Sequence, residues 1–251
     1  MTGGSAGLGA ACVRWLAGRG FDVVSLDRDP PQPDAQGASG CDSRTGAVRH
    51  HQCDLADRDA LDQALKTLVD EEPFDLVVLN AGISAAGRFE DIDTATQLAV
   101  LRINTEAPMV IAARLLGAKA VNPGAAMLFV SSLSHFTGYP GAAGYAASKD
   151  ALAVYAKSMR KAAKARGVSI TVAFPGPLRT AHAERYAPKG ADASKRMDPD
   201  QAAHAILSDA ISGRKTSIPG MPNRTFAIIG RLAPKPVTAL MRRLIYAKLE
   251  G

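Results

Sequence analysis

Cysteine is scarce in this chain: Cys12, Cys41 and Cys53 are the whole set. An odd, sparse set excludes a disulfide framework and suits a reducing compartment. No apolar run approaches the roughly 20 residues needed to span a bilayer. The opening residues are small and glycine-rich rather than basic then apolar, so no signal peptide is read there. The expected location is the cytoplasm. Aromatic residues make up only 5% of the chain, and no Arg/Lys stripe is interleaved with them, which argues against nucleic-acid binding. Cys41, His50, His51 and Cys53 match no common zinc spacing, so no metal is expected. Neither sign of charge dominates: 30 Lys and Arg against 24 Asp and Glu leave +6. A mild basic excess serves solubility and also favours anionic ligands.

What the chain does have is alternation. Apolar runs at residues 21–26, 48–53, 74–79, 126–130 and 168–173 read as strands. Around them, residues 9–19, 60–70, 94–116, 145–166 and 199–212 read as helices. Strands separated by helices of this length imply βαβ units and a mostly parallel sheet. Near-continuous apolar strands fit a sheet covered on both faces. The 251 residues fit one domain. Residues 30–46, rich in Pro, Gly, Ser and Asp, read as an irregular surface loop.

The opening stretch Thr2-Gly3-Gly4-Ser5-Ala6-Gly7-Leu8-Gly9 leads straight into a helix. Glycines permit positive φ and let the backbone approach a ligand closely. The helix start beyond them offers free N–H groups to a pyrophosphate. The strand at 21–26 ends in Asp27, placed to accept from adenine-ribose hydroxyls, which favours NAD(H). Arg28 follows directly and keeps NADP(H) possible.

Further on come Ser131-Ser132, then Tyr145 and Lys149 one helical turn apart. A free tyrosine is a poor base at neutral pH. A neighbouring ammonium favours its phenolate, and lowering its pKa by about three units would take about 4 kcal/mol. Ser132 leaves a strand on a loop, where its hydroxyl can hold a substrate oxygen as charge develops on it. Taken singly, these residues have ordinary readings: a solvated Tyr/Lys pair and turn serines.

Together they resemble the short-chain dehydrogenase/reductase family, in its single-domain form of about 250 residues. The resemblance runs from Thr2 to about Ser212. It is carried by Thr2-Gly3-x-x-x-Gly7-x-Gly9, Asp54-Leu55, Asn80-Ala81-Gly82, Asn104, Ser132, Tyr145-x-x-x-Lys149, Pro175-Gly176 and Thr180. It implies a Rossmann-type, doubly wound parallel sheet in three α/β/α layers. It implies Tyr145 as general acid/base, with Lys149 binding the nicotinamide ribose and lowering the tyrosine pKa. Ser132 would orient a carbonyl, and Asn104 would hold a water in a relay to Lys149. Asp54 and Leu55 would meet the adenine. Asn80, Ala81 and Gly82 would brace the sheet beside the cofactor, and Pro175, Gly176 and Thr180 would contact the nicotinamide end.

The expected activity is interconversion of a secondary alcohol and a ketone with a nicotinamide dinucleotide. A dinucleotide sensor without turnover and a reductase of carrier-linked 3-oxoacyl groups are the alternatives. In the family an apolar strand precedes Thr2; only Met1 stands for it here, so the glycine loop is expected to lack an anchor and a natural start upstream is suspected. His135 and Tyr139 are expected at the substrate entrance. Residues 181–198, with Glu184, Arg185, Tyr186, Lys189, Lys195 and Arg196, are expected to form a substrate lid. Residues 214–251 form a C-terminal extension, irregular up to Pro236. After it Val237, Leu240, Met241, Leu244 and Ile245 recur at helical spacing, with Arg242 and Arg243 on another face. That helix would dock on the sheet, on a partner subunit or on a membrane surface. The chain is expected to form homo-oligomers through the helices at 94–116 and 145–166.

Overall fold

The computed structural model describes residues 1–31, 45–186 and 192–249. Along it lie α1 (Gly7–Ala17), β1 (Val23–Asp27), β2 (Val48–Gln52), α2 (Arg58–Val69), β3 (Phe74–Leu79), α3 (Thr94–Leu101) and α4 (Ala107–Gly117). Then follow β4 (Val121–Val130), α5 (Ser134–Thr137), α6 (Ala143–Lys164), β5 (Ser169–Ala173) and α7 (Ala181–Arg185). The chain continues through α8 (Pro199–Ile211), β6 (Thr216–Ser217), α9 (Met221–Leu232) and α10 (Pro234–Leu249). The strand pairings among these residues are parallel: β1 with β2, and β3-β4-β5-β6 in order.

Thr2 joins the two groups of strands, bridging Leu26 on one side and Leu79 on the other. Its N–H donates to the Val78 carbonyl and the Gly3 N–H to the Leu26 carbonyl, both at 2.9 Å. Among the described residues no strand precedes the loop, in line with the truncated first strand read from the sequence, and the Thr2 bridges take its place. Thr2 ties the loop to strands on both sides, at the centre of the sheet.

Successive side chains of a strand point to opposite faces, and here the two faces bury separate cores. Met127 and Phe129 of β4 face one cluster with Leu61, Leu65, Leu115, Leu152 and Ala156 from α2, α4 and α6. Leu128 and Val130 face the other, with Leu16, Ala202, Ile206 and Leu207 from α1 and α8. This is the three-layer, doubly wound sheet expected from the strand–helix alternation.

Three elements differ from the sequence reading. The helix expected over 94–116 is broken by a π turn at Arg102–Glu106. An extra residue in a helical turn of this kind re-aims the side chain it carries, here Asn104. The stretch before Pro236, expected to be irregular, contains α9. Its Pro222 sits in the first turn, where the missing N–H costs nothing. The short β6 had no apolar run to announce it. Residues 32–44, most of the Pro/Gly-rich loop and Cys41 with it, lie outside the described residues. Among the described residues no helix is long and apolar enough to cross a membrane, and no cluster of three metal-ligating side chains occurs.

Candidate active site

The glycine loop is shaped by close approach. A Cβ on Gly9 would stand 1.7 Å from the Gly3 carbonyl oxygen, and one on Gly3 2.7 Å from the Ala81 Cα. Gly7 adopts φ +55, a conformation side chains disfavour. Asn80 closes the loop from the neighbouring strand end: its Nδ2 donates to the Gly3 carbonyl at 2.9 Å. The Thr2 hydroxyl oxygen accepts the N–H groups of Asn80 and Ala81, each at 3.1 Å. α1 begins directly after, with no side-chain cap at Ala6 and no acidic residue in its first turn. Its leading N–H groups are thus left for an anion. Leu8 is buried beneath the loop.

Asp27, at the end of β1, receives backbone N–H groups from both sides. One carboxylate oxygen accepts the Ser5 N–H at 2.9 Å and the other the Asp29 N–H at 3.2 Å. Both oxygens therefore brace the glycine loop and the turn after β1. Arg28 beside it is two-thirds exposed and pairs with the equally exposed Asp29 at 3.3 Å. Asp54 holds its own turn, its Oδ1 accepting the Ala56 N–H at 2.9 Å. Leu55 is buried next to it.

The catalytic candidates converge at the carboxyl ends of β3, β4 and β5. Lys149 is 3% exposed, and its Nζ donates to the Val130 carbonyl at 2.9 Å. The Ser131 hydroxyl donates to the Lys149 carbonyl at 2.9 Å, locking α6 to the end of β4. Asn104 is fully buried: its Oδ1 accepts the Ile83 N–H at 2.8 Å. Its Nδ2 donates to the Ile83 carbonyl and to the Ser148 hydroxyl, both at 2.9 Å. Gly82 passes between them, since a Cβ there would stand 3.0 Å from Lys149 Nζ and 3.2 Å from Asn104 Oδ1. The loop after β5 closes the cleft. The Pro175 carbonyl accepts the Leu133 N–H at 3.0 Å, and a Cβ on Gly176 would stand 2.5 Å from Asn223 of α9. Thr180 caps α7 through the Ala183 N–H at 3.2 Å, and its methyl group would lie 3.3 Å from a Cβ on Gly7.

Burial governs the titration of this site. Withdrawal from water pushes the Tyr145 phenol up; a hydrogen bond with Ser132 pulls it back, and the nearby Tyr139 adds to the rise. Burial brings Lys149 down to about 8. In the chain without cofactor, desolvation therefore outweighs what lowers the phenol. One N–H of the lysine is held by the Val130 carbonyl, and burial is what lowers the ammonium. At about 8, Lys149 still carries its proton at neutral pH.

Tyr139 lies edge-on to Tyr145, with ring centroids 6.3 Å apart, on the cleft wall. His135 does not flank the entrance. Its Nδ1 lies 2.8 Å from Asp150 and its Nε2 3.1 Å from Lys157, and its ring stacks on Phe174 at 5.0 Å. It fastens α5 to α6. His182 of α7 was not singled out from the sequence. Partial burial, then the positive charges of Lys149 and Arg185, hold its imidazole below the ordinary value. Its place two residues after Thr180 was the available signal. Lys189 lies outside the described residues.

The sequence pattern of the family described as short chain dehydrogenase matches residues 1–190. The chain is 26% identical over 189 residues to an uncharacterized oxidoreductase, YmfI, of Bacillus subtilis, covering 75% of this chain and 77% of that one. It is 28% identical over 181 residues to the 3-oxoacyl-[acyl-carrier-protein] reductase MabA of Mycobacterium tuberculosis, covering 72% and 68%. A short-chain dehydrogenase from Sphingobium yanoikuyae, solved with NADPH, superposes with TM-score 0.77 at 24% identity, over 95% of this chain and 94% of that one. With a glycine loop leading into an uncapped helix, a Ser–Tyr–Lys set at the strand ends and a family match over three quarters of its length, the chain belongs to the short-chain dehydrogenase family of oxidoreductases.

Proposed function

We propose that the protein interconverts a secondary alcohol and a ketone with a nicotinamide dinucleotide. The observation that carries this is the gathering of Ser132, Tyr145 and Lys149 beside a glycine cradle that a single Cβ would fill. The residues present fit such a cofactor. The N–H groups at the start of α1 would face its pyrophosphate, Gly82 leaves room beside Lys149, and Pro175, Gly176 and Thr180 flank the nicotinamide end. Asp54 and Leu55 would border the adenine. When bound, the dinucleotide supplies or takes up hydride. Ser132 holds the substrate oxygen, Tyr145 moves the proton to or from it, and Lys149 keeps a positive charge next to that exchange. Asn104 sets the position of the Ile83 backbone and of α6 behind them. Residues 181–198 act as the lid over the substrate.

NADP(H) is favoured over NAD(H). Arg28 is exposed at the strand end next to the glycine loop and can meet a 2′-phosphate. The NADPH held by the Sphingobium relative supports the same choice. The resemblance to MabA keeps a second reading, reduction of carrier-linked 3-oxoacyl groups. Association through the helices at 94–116 and 145–166 is part of the proposal, since Leu98 and Leu101 of α3 and Val154 of α6 stand exposed. The test is turnover by a Tyr145→Phe variant over a panel of ketones and alcohols. Loss of turnover by at least 10²-fold, the low end for general acid/base catalysis, with dinucleotide binding retained, is expected. Equal turnover in the variant removes Tyr145 from the mechanism. A protein that binds dinucleotide and turns over none of the panel favours the sensor reading.

A further inference from the structure

The charge of this chain is not evenly spread. Residues 212–251 hold eight of its 30 Lys and Arg and one of its 24 Asp and Glu, so the rest of the chain is close to neutral. Within that segment α9 presents an apolar face to solvent. Met221, Ile228 and Leu232 recur at seven- and four-residue spacing and so share one side of the helix; they are 69%, 58% and 80% exposed. Ile229 stands beside them at 47%. Turning that face inward is prevented by what the other side does. Ala227 and Gly230 are buried, and a Cβ on Gly230 would stand 2.3 Å from the Phe136 carbonyl oxygen of α5. Arg224 and Arg231, seven residues apart, flank the apolar face, and Lys235, Arg242 and Arg243 continue the positive surface on α10; all five are exposed. None of the ion pairs formed among the described residues involves them.

We propose that α9 and the start of α10 form a docking surface for an anionic lipid bilayer, the aliphatic face entering the headgroup layer and the flanking cations meeting lipid phosphates and carboxylates. Hydrocarbon at the centre with Arg and Lys at the margin is the arrangement of a helix that lies in the interface plane. A second copy of the chain fits less well. A two-fold contact would set the same cations against each other, and residues 212–249 carry no carboxylate to answer them. Docking here brings the bilayer next to the catalytic loop, because α9 packs on α5, which follows Ser132 directly.

The test is co-sedimentation of the full chain with phosphatidylcholine vesicles, with and without phosphatidylserine. Binding is expected only to the vesicles that contain phosphatidylserine, weakening as salt is raised. Arg231→Gln and Lys235→Gln should each weaken it about fivefold. Leu232→Asp should abolish it while leaving the melting temperature and dinucleotide binding of the protein unchanged. Failure of the unaltered chain to bind overturns the proposal, as does equal binding to both vesicle types or undiminished binding by Leu232→Asp. Self-association lost in Leu232→Asp, without vesicle binding, assigns the face to a second copy instead. Because the variants retain the active site, these results are independent of whether the proposed reaction is correct.

Discussion

At the scale of single residues, the site is a contest between burial and charge. Lys149 is carried inside with one carbonyl partner, and its pKa falls from the ordinary 10.5 to about 8. The unfolded chain then holds more protons on this residue than the folded one between those values. Stability from this group therefore rises with pH from about 8 to 10.5. Tyr145 has the opposite sign: with its phenol pushed up, it makes stability fall as pH rises above its ordinary value. Comparing urea unfolding of the cofactor-free protein with that of Lys149→Met isolates the lysine. The unaltered protein should gain stability relative to the variant from pH 8 to 10, and a parallel pair of curves would show that Lys149 is not held in this state. Most of these side chains could be found from sequence, because glycine spacing and Tyr-x-x-x-Lys spacing are local. The employment of Asp27 could not: its partners Ser5 and Asp29 meet it through a fold, and a strand-end carboxylate looks the same in sequence whether it faces a ribose or a backbone N–H.

At the scale of elements, periodicity identified the strands and most helices, while their ends and interruptions followed other causes. The cap of α2 is Asp57, whose carboxylate accepts the N–H groups of Asp59 at 2.9 Å and Ala60 at 3.1 Å. Asp57→Ala should cost about 1 kcal/mol in urea unfolding, and Asp57→Asn should restore most of it. No loss in the alanine variant would mean that packing of Leu61, Leu65 and Leu68 alone holds α2 in place. The π turn that aims Asn104 inward leaves no mark in the hydrophobic pattern, because one extra residue in a turn shifts the apolar face without ending it. α9 was hidden by Pro222, Pro219 and Gly220, which look like loop signals until the proline is seen to occupy the first turn.

At the scale of the whole molecule, the chain places its chemistry where parallel strands end and the helices on both faces turn back. The Thr2 crossing point between β1 and β3 is also where the glycine loop starts, so the centre of the sheet and the cofactor cradle share one anchor. A fluorescence titration of the purified protein with NADPH and with NADH reads whether the loop held at that anchor takes up a dinucleotide. Saturable binding is expected, with NADPH bound more tightly than NADH. Binding of neither dinucleotide by folded protein would contradict it.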